Sequence, residues 1–227
     1  LKRSQAVRDL YWHPGGLDDI LRAAYLRENT YYLNTVFAGG SIAIWSCKKQ
    51  INTIEDLKGF KFRSFGKVAT VFEKLGAAPV AMAHPEVYSA ISQGIIDGST
   101  GGSSLFEANK YYELCKTFYS RPVIEVDALA LMVSKPAWDK LPPDLQALLK
   151  KASLEYSTEY EKLTDRLHAE MLAKFPQWNV KAIEWNDEFV GRVRAESKKM
   201  LPELKASNNP GLVKGVGMIE AFVATQK

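Results

Sequence analysis

The stretch from 72 to 98, FEKLGAAPVAMAHPEVYSAISQGIIDG, constrains the fold of this chain more than any other. A helical pattern ends at Gly76, a short strand is predicted over 79–82, and a second helix ends at Gly94 before another apolar pair. Parallel strands need a crossover, usually a helix, so this strand–helix–strand order is typical of a parallel sheet. The sequence therefore predicts an α/β fold.

The preceding stretch, INTIEDLKGFKFRSFG over 51–66, brings one arginine to the end of a strand-like run. Three phenylalanines, the last of them Phe65, alternate around Lys61 and Arg63, which predicts that Arg63 lies on the face opposite the phenylalanines. A planar guanidinium can form two parallel hydrogen bonds to a carboxylate, and lysine cannot reproduce this geometry. Arg63 is thus a candidate carboxylate ligand, with a solvated surface arginine as the alternative.

Three blocks in these stretches, EDLKGFKFR, LGAAPVAM and EVYSAISQGIIDG, resemble a known family in order and spacing. The family is the extracytoplasmic solute-binding subunits of tripartite ATP-independent periplasmic (TRAP) transporters, the DctP-like proteins. The resemblance continues more weakly to the C-terminus. It implies a two-lobe periplasmic-binding-protein clamshell, with a ligand cleft between the lobes and a long helix spanning both. It also implies that Arg63 holds the carboxylate of the solute.

The same resemblance implies a role and a location. A receptor of this kind captures an organic acid in the periplasm and delivers it to the membrane permease subunits of the transporter. It binds the small-molecule carboxylate without catalysis, and no cofactor is expected.

The family pattern also predicts how the chain divides. Lobe I would comprise residues 1–40 and 128–168, and lobe II would comprise residues 41–127 and 169–227. Most of the N-terminal part of lobe I, roughly eighty to ninety residues, would be absent before Leu1. The start LKRSQAVRDL has no apolar segment of the kind found in signal peptides. Gly39 and Gly40 would form the hinge, although an ordinary turn would have the same composition.

Two departures from the family pattern bear on the ligand. The strand predicted over 41–47, SIAIWSC, carries no second charged side chain, so Trp45 is either an aromatic wall of the cleft or a core residue. Ser99 and Thr100 follow the IDG turn, where relatives often carry a metal-coordinating glutamate, so metal-assisted binding is not expected. Their hydroxyls and the neighbouring glycine N–H groups could bind a carboxylate from a loop, although ordinary loops share this composition.

One acidic side chain completes the candidate set. Asp127 lies near the expected crossover and directly precedes the apolar run 128–133, and a carboxylate at the edge of buried sequence needs a partner. It could accept a hydrogen bond from a ligand or pair with Arg63 in the empty site, whereas a surface position is preferred for Glu125. The predicted ligand-binding residues are Arg63, Phe65, Trp45, Ser99, Thr100 and Asp127.

A single long helix is predicted from Pro142 to Lys174, because apolar residues recur there at spacings of three and four. At 1.5 Å per residue it would be about 45 Å long, which is too long for one small lobe. It corresponds to the long helix of the family.

Composition excludes several classes of protein. The net charge of +4 arises from 30 basic and 26 acidic residues scattered along the chain, which does not predict a nucleic-acid-binding surface. No apolar run reaches the roughly eighteen residues of a membrane span.

Cys47 and Cys115 could form a disulfide in an oxidising compartment or remain two buried thiols. The three histidines stand apart, so no zinc site is predicted.

An α/β enzyme and a ligand-sensing domain acting on a small carboxylate are the alternatives to a receptor. The chain has no G-x-S-x-G, Walker A, G-x-G-x-x-G or H-E-x-x-H motif. If the protein were an enzyme, the candidate catalytic groups would be an acid–base site assembled from His84, Asp97 and Asp127. The receptor is therefore the preferred interpretation.

Overall fold

The computed structural model describes residues 2–38, 42–124 and 127–225, and within them the side chains of 2–4, 121–124 and 127 are outside the description. The predicted hinge glycines, Gly39 and Gly40, and the acidic Glu125 lie outside the described residues. The chain forms two compact units. Unit 1 consists of Leu1–Ala38, Ala128–Lys162 and Met200–Lys227, and unit 2 consists of Gly39–Asp127 and Leu163–Lys199.

The described residues form eleven α-helices and eight strands, with two short 3-10 turns at Glu55–Leu57 and Tyr111–Glu113. The helices are α1 (Lys2–Trp12), α2 (Leu17–Arg27), α3 (Gly66–Lys74), α4 (His84–Ser92), α5 (Ser104–Ala108), α6 (Lys135–Asp139), α7 (Pro143–Ala173), α8 (Phe175–Trp178), α9 (Asp187–Lys198), α10 (Leu201–Lys205) and α11 (Pro210–Thr225). The strands are β1 (Thr30–Ala38), β2 (Ile42–Ser46), β3 (Lys61–Arg63), β4 (Ala78–Val80), β5 (Gly98–Gly102), β6 (Thr117–Ile124), β7 (Asp127–Ser134) and β8 (Lys181–Ile183).

Unit 2 is built on a six-stranded sheet in the order β4-β3-β5-β2-β6-β8. Strand β3 pairs in parallel with both β4 and β5, and α3 and α4 are the crossovers between these strands, which confirms the predicted parallel α/β arrangement. Strand β2 runs antiparallel to its neighbours β5 and β6, whereas β6 and β8 are parallel. The sheet as a whole is therefore mixed.

An aromatic cluster fills the core of unit 2. The ring of Trp45 stacks on Tyr111 at a centroid distance of 5.3 Å and meets Phe106 edge-on at 5.5 Å. Phe118 and Phe175 extend the cluster, and all five side chains are buried. Large apolar side chains of this kind contribute most of the burial free energy of a small core.

A disulfide lies at the edge of this cluster. Cys47, directly after β2, is bonded to Cys115, which is itself fully buried. The sequence left open whether these two cysteines pair, and the structure shows that they do. The bond ties the end of a central strand to the turn that precedes β6, and closing so long a loop limits the freedom of the unfolded chain.

Unit 1 contains a two-stranded sheet of β1 and β7, with α2 packed against β1. Leu17 and Tyr32 are buried there together with Asp18, whose carboxylate accepts hydrogen bonds from the backbone N–H of Thr35 (3.0 Å) and from its hydroxyl (2.5 Å). Burial raises the pKa of Asp18 despite these hydrogen bonds. The helix and strand are thus joined by a polar contact as well as an apolar one.

Residues 200–227 belong to unit 1, whereas the sequence-based division put 169–227 together in lobe II. Helix α11 packs against α2 and α10, and the approach to α2 is tight at Gly211 and of ordinary contact distance at Gly215. A Cβ atom at Gly211 would lie 3.2 Å from Ile20, and one at Gly215 would lie 3.6 Å from Leu17. These contacts are distant in sequence, so local patterns do not reveal them.

The long helix is present as α7, whose 31 residues run from Pro143 to Ala173. Its first part belongs to unit 1 and its last part to unit 2. Among the described residues, no helix combines the length and the apolar character needed to cross a membrane.

The pairing of β5 with β2 depends on a glycine. A Cβ atom at Gly98 would lie 2.2 Å from the carbonyl oxygen of Trp45 and 2.7 Å from the Phe60 ring, and neither distance is tolerable. We expect Gly98→Ala to lower the free energy of unfolding by about 1–3 kcal/mol or more, because the strand must move away. Chemical denaturation measures this change.

Gly191 in α9 is the matched control, since a Cβ there would meet nothing within 4 Å. Gly191→Ala should stabilise the protein by about 0.5–1 kcal/mol, because alanine is the better helix former. Equal effects of the two substitutions would contradict the close approach at Gly98.

Candidate functional site

Arg63 is the last residue of β3 and lies between the two neighbouring parallel strands. Its backbone is in register with Val80 of β4 on one side and Ser99 of β5 on the other. The side chain therefore starts at the carboxyl end of β3, level with the last residue of β4, while β5 continues to Gly102. The carboxyl ends of such strands are the usual ligand-binding edge of α/β sheets.

The guanidinium of Arg63 is held by backbone carbonyls. Nε donates to the carbonyl oxygen of Met82 at 3.1 Å, and Nη1 donates to that of Thr100 at 3.2 Å. Only 7% of the residue is exposed. Met82 follows the end of β4, and Thr100 lies within β5 one residue past the register with Arg63, so the side chain bridges the two flanking strands and has one orientation.

Phe65 covers one face of this guanidinium. The central carbon of the guanidinium lies 4.6 Å from the centroid of the Phe65 ring, a cation–π contact. The prediction that Arg63 lies opposite all three phenylalanines is therefore wrong for Phe65. The strand ends at Arg63, and Phe65 is already the N-cap of α3, so strand alternation no longer applies to it. The residue is 62% exposed, so part of its side chain is open to solvent.

Arg63 has no carboxylate partner among the side chains that the structure describes. Its Nη2 likewise donates to none of the described residues. Burial lowers the pKa of the Arg63 guanidinium from its ordinary value, and the nearby Tyr111 partly offsets this. The site thus contains a desolvated cation with donor capacity that the protein does not use.

Ser99 and Thr100 lie in strand β5, so the expected loop at these positions is wrong, while their role as ligand contacts stays a prediction. Their backbones are in register with Trp45 and Ile44 of β2, so they continue the sheet and do not form an open loop. The Ser99 hydroxyl donates to the carbonyl oxygen of Thr100 at 3.2 Å, and the Thr100 hydroxyl contacts that of Ser64 at 3.5 Å. Both side chains are buried, and Thr100 contacts Arg63 through its backbone carbonyl oxygen, which accepts the hydrogen bond from Nη1.

Trp45 is fully buried in the aromatic core of unit 2. This packing favours the second of the two interpretations, a core tryptophan, over an aromatic wall for a ligand. The far end of its ring still approaches the site, because a Cβ atom at Gly101 would lie 3.1 Å from Trp45 Cη2. Trp45 therefore supports β5 from beneath.

Asp127 is the first residue of β7, and its side chain lies outside the described residues. Its role as a ligand contact or as a partner of Arg63 stays a prediction. No group of three His, Cys, Asp or Glu side chains that could hold a metal ion occurs in the part of the chain that the structure describes.

Two neighbours of Arg63 were not in the predicted set. His84 begins α4 directly after the segment that supplies the Met82 carbonyl, and the hydroxyl of Tyr111 donates to the backbone oxygen of His84 at 3.3 Å. The rule that ligands gather at the carboxyl ends of parallel strands could have pointed to His84. Tyr111 is distant in sequence from both strands, and no local signal marks it.

Removing the Arg63 side chain should cost stability, because the carbonyl oxygens of Met82 and Thr100 would lose their partner in a buried place. We expect Arg63→Ala to lower the free energy of unfolding by about 1–3 kcal/mol. Lys61→Ala on the same strand is the control, since Lys61 is exposed and should change stability by no more than about 0.5 kcal/mol. Denaturant unfolding that shows the same stability for both variants would contradict the bridging role.

Comparison with known proteins identifies relatives of the chain. It is 30% identical over 178 residues to a solute-binding protein of Sulfitobacter sp. (strain NAS-14.1), a match that covers 76% of this chain and 53% of the relative. The chain thus spans about half the length of the curated relatives it matches.

Solved structures share the fold. A TRAP periplasmic solute-binding protein from Rhodoferax ferrireducens with bound malonate superposes with a TM-score of 0.83 at 19% identity, covering 96% of this chain and 68% of that one. A second, from Pseudoalteromonas atlantica with bound sodium and pyruvate, gives 0.83 at 23% identity and covers 98% and 68%. These similarities show the α/β fold of the two-lobe TRAP solute-binding proteins.

The model of one protein family matches residues 3–208, nearly the whole chain. That family is described as the bacterial extracellular solute-binding proteins, family 7, or DctP. The match includes the strand that carries Arg63 and the long helix α7. The chain belongs to the DctP family of bacterial extracellular solute-binding proteins.

Proposed function

We propose that this protein is the solute-binding receptor of a TRAP-type secondary transport system and that it captures an organic acid through its carboxylate. The observation that carries this proposal is the state of Arg63. Its guanidinium is buried and oriented by two carbonyl oxygens, yet it has no carboxylate partner among the described side chains. A ligand carboxylate would supply the missing partner.

The geometry suits capture of an anion. A buried cation without a counter-ion is costly, so an incoming carboxylate relieves an existing penalty as well as adding hydrogen bonds. Because Nε and Nη1 are already engaged, the carboxylate would meet the guanidinium chiefly at Nη2. Phe65 screens one face of the guanidinium, and its exposed ring offers an apolar surface to the carbon atoms of the solute.

The relatives support the class of ligand. The two solved structures compared above hold malonate and pyruvate, and each of these ions is a small carboxylate. Family membership supports a receptor that binds and releases its solute unchanged, rather than an enzyme. It also supports membrane permease subunits as the partners that receive the solute.

The family description, extracellular solute-binding protein, supports an extracytoplasmic location, here the periplasm. The Cys47–Cys115 disulfide is consistent with it, since structural disulfides persist in oxidising compartments such as the periplasm.

The first test is thermal unfolding of the protein expressed from its complete gene, with organic acids and their uncharged amides. A ligand that binds the folded state raises the melting temperature with the logarithm of its saturation. A shift with one class of acid and none with its amide would support the proposal and identify the solute class. The absence of a shift with every acid, in folded and ligand-free protein, would contradict it.

The second test concerns Arg63 itself. Arg63→Ala should weaken binding of the acid found in the panel by about 2–5 kcal/mol, because the buried guanidinium is the partner of the carboxylate. Arg63→Lys should restore only part of the affinity, since an ammonium group cannot donate to two carbonyls and a carboxylate in the same geometry.

Calorimetric titration measures these affinities at a temperature where unfolding curves show each variant to be folded. Lys61→Ala, on the same strand but exposed, is the control and should bind as the wild type does. Wild-type affinity in Arg63→Ala would remove Arg63 from the site.

A further inference from the structure

We propose that His84 forms part of the Arg63 site and takes up a proton from solvent when a carboxylate binds there. This inference rests on the proposed function, because it concerns the same ligand. It adds a second side chain that contacts the ligand, and it makes the affinity depend on pH.

The first argument is position. His84 begins α4 two residues after Met82, whose carbonyl oxygen holds Nε of Arg63. On the other side, His84 Cε1 lies 3.4 Å from where a Cβ atom of Gly101 would be, and Gly101 directly follows Thr100, whose carbonyl oxygen holds Nη1. The imidazole and the guanidinium therefore border the same patch at the ends of β4 and β5.

The second argument is unused hydrogen-bonding capacity. His84 Nδ1 is buried without a partner, and the ring makes no hydrogen bond to any residue that the structure describes. Buried polar atoms without partners are rare in native proteins, and each calls for an explanation such as a ligand or a water molecule. Since Nη2 of Arg63 is also unused, two neighbouring groups have open capacity on one patch.

The third argument is charge. Burial lowers the pKa of His84, and the positive charge of Arg63 lowers it further, so the ring is neutral in the empty receptor at neutral pH. Of the elements around the ring, β3 contributes Arg63 and the 3-10 turn contributes Tyr111, whose hydroxyl donates to the His84 backbone. On α4 itself, Glu86 uses its carboxylate to accept a hydrogen bond from the backbone N–H of Ala83.

A bound carboxylate reverses this balance. Its negative charge offsets that of Arg63, and its second oxygen can accept a hydrogen bond from a protonated imidazole, so the pKa of His84 is higher in the complex than in the empty receptor. Binding then consumes a proton from the buffer, and release returns it. Affinity rises as pH falls from the pKa of the complex towards that of the empty receptor, by at most roughly tenfold per pH unit, and becomes constant below.

Calorimetric titration of the protein from its complete gene with malonate and with pyruvate, in buffers of different ionisation enthalpy, measures this proton uptake directly. We expect uptake of up to about one proton in the wild type and none in His84→Gln, whose affinity should no longer depend on pH in this range. His168→Gln is the matched control, because Nδ1 of His168 is also buried without a partner but its ring packs against Phe118 in the core. That variant should retain the uptake.

The outcomes separate the two proposals. Binding without proton uptake, or uptake that persists in His84→Gln, would overturn the role of His84 and leave the receptor function intact. Failure of the wild type to bind any acid of the panel would overturn both. If His84→Gln does not fold, as shown by its unfolding curve, His84→Asn makes the same test with a smaller side chain.

Discussion

The candidate site depends on one constraint, the parallel pairing of β3 between β4 and β5. Strands β3 and β4 end level with each other at Arg63 and Val80, and the carbonyl groups of Met82 and Thr100 lie beyond the last residue of β3. Arg63 satisfies two such carbonyls with one side chain, and the bridge leaves the guanidinium in a single orientation. A flexible surface arginine would lose much of its conformational entropy on binding a ligand, whereas Arg63 has already lost it on folding.

The core beneath the site keeps this edge in position. Trp45 on β2 supports β5 from below, and Gly98 and Gly101 allow the strand and the tryptophan to approach closely. Close packing of this kind transmits small displacements, so changes in the core are expected to move the carbonyl oxygen that holds Arg63. The Cys47–Cys115 disulfide joins the end of β2 to the same core. The stability of the core and the position of Arg63 are therefore coupled through β5.

Family membership and the chemistry of the site are both consistent with the proposed receptor. The family is one of extracellular solute-binding proteins, and the described part of unit 2 offers one buried cation, an exposed aromatic ring and an imidazole. A small organic anion with an apolar portion would use all three groups. In the proposed receptor the charge of the guanidinium would attract the anion, and Phe65 and His84 would distinguish among anions by shape and by the pH at which they bind.

The sequence by itself determined the parts of this protein that local patterns encode. The periodicity of 72–98 predicted the parallel unit, alternation placed Arg63 at the end of a strand, and the apolar spacing of 142–174 predicted α7 almost to the residue. Glycine positions marked where helices end, because a positive φ angle at Gly76 and Gly94 is easy only for glycine. These features depend on neighbours within a few residues, which a single sequence displays directly.

Only the tertiary structure decided which distant segments meet. The antiparallel insertion of β2 beside β5 turned Ser99 and Thr100 from loop into strand, and the chain reversal after β3 brought Phe65 onto Arg63. The packing of α11 on α2 and the approach of His84 to Arg63 likewise join residues far apart or on different elements. Such contacts arise from competition among many apolar surfaces for one core, and no local periodicity records its outcome.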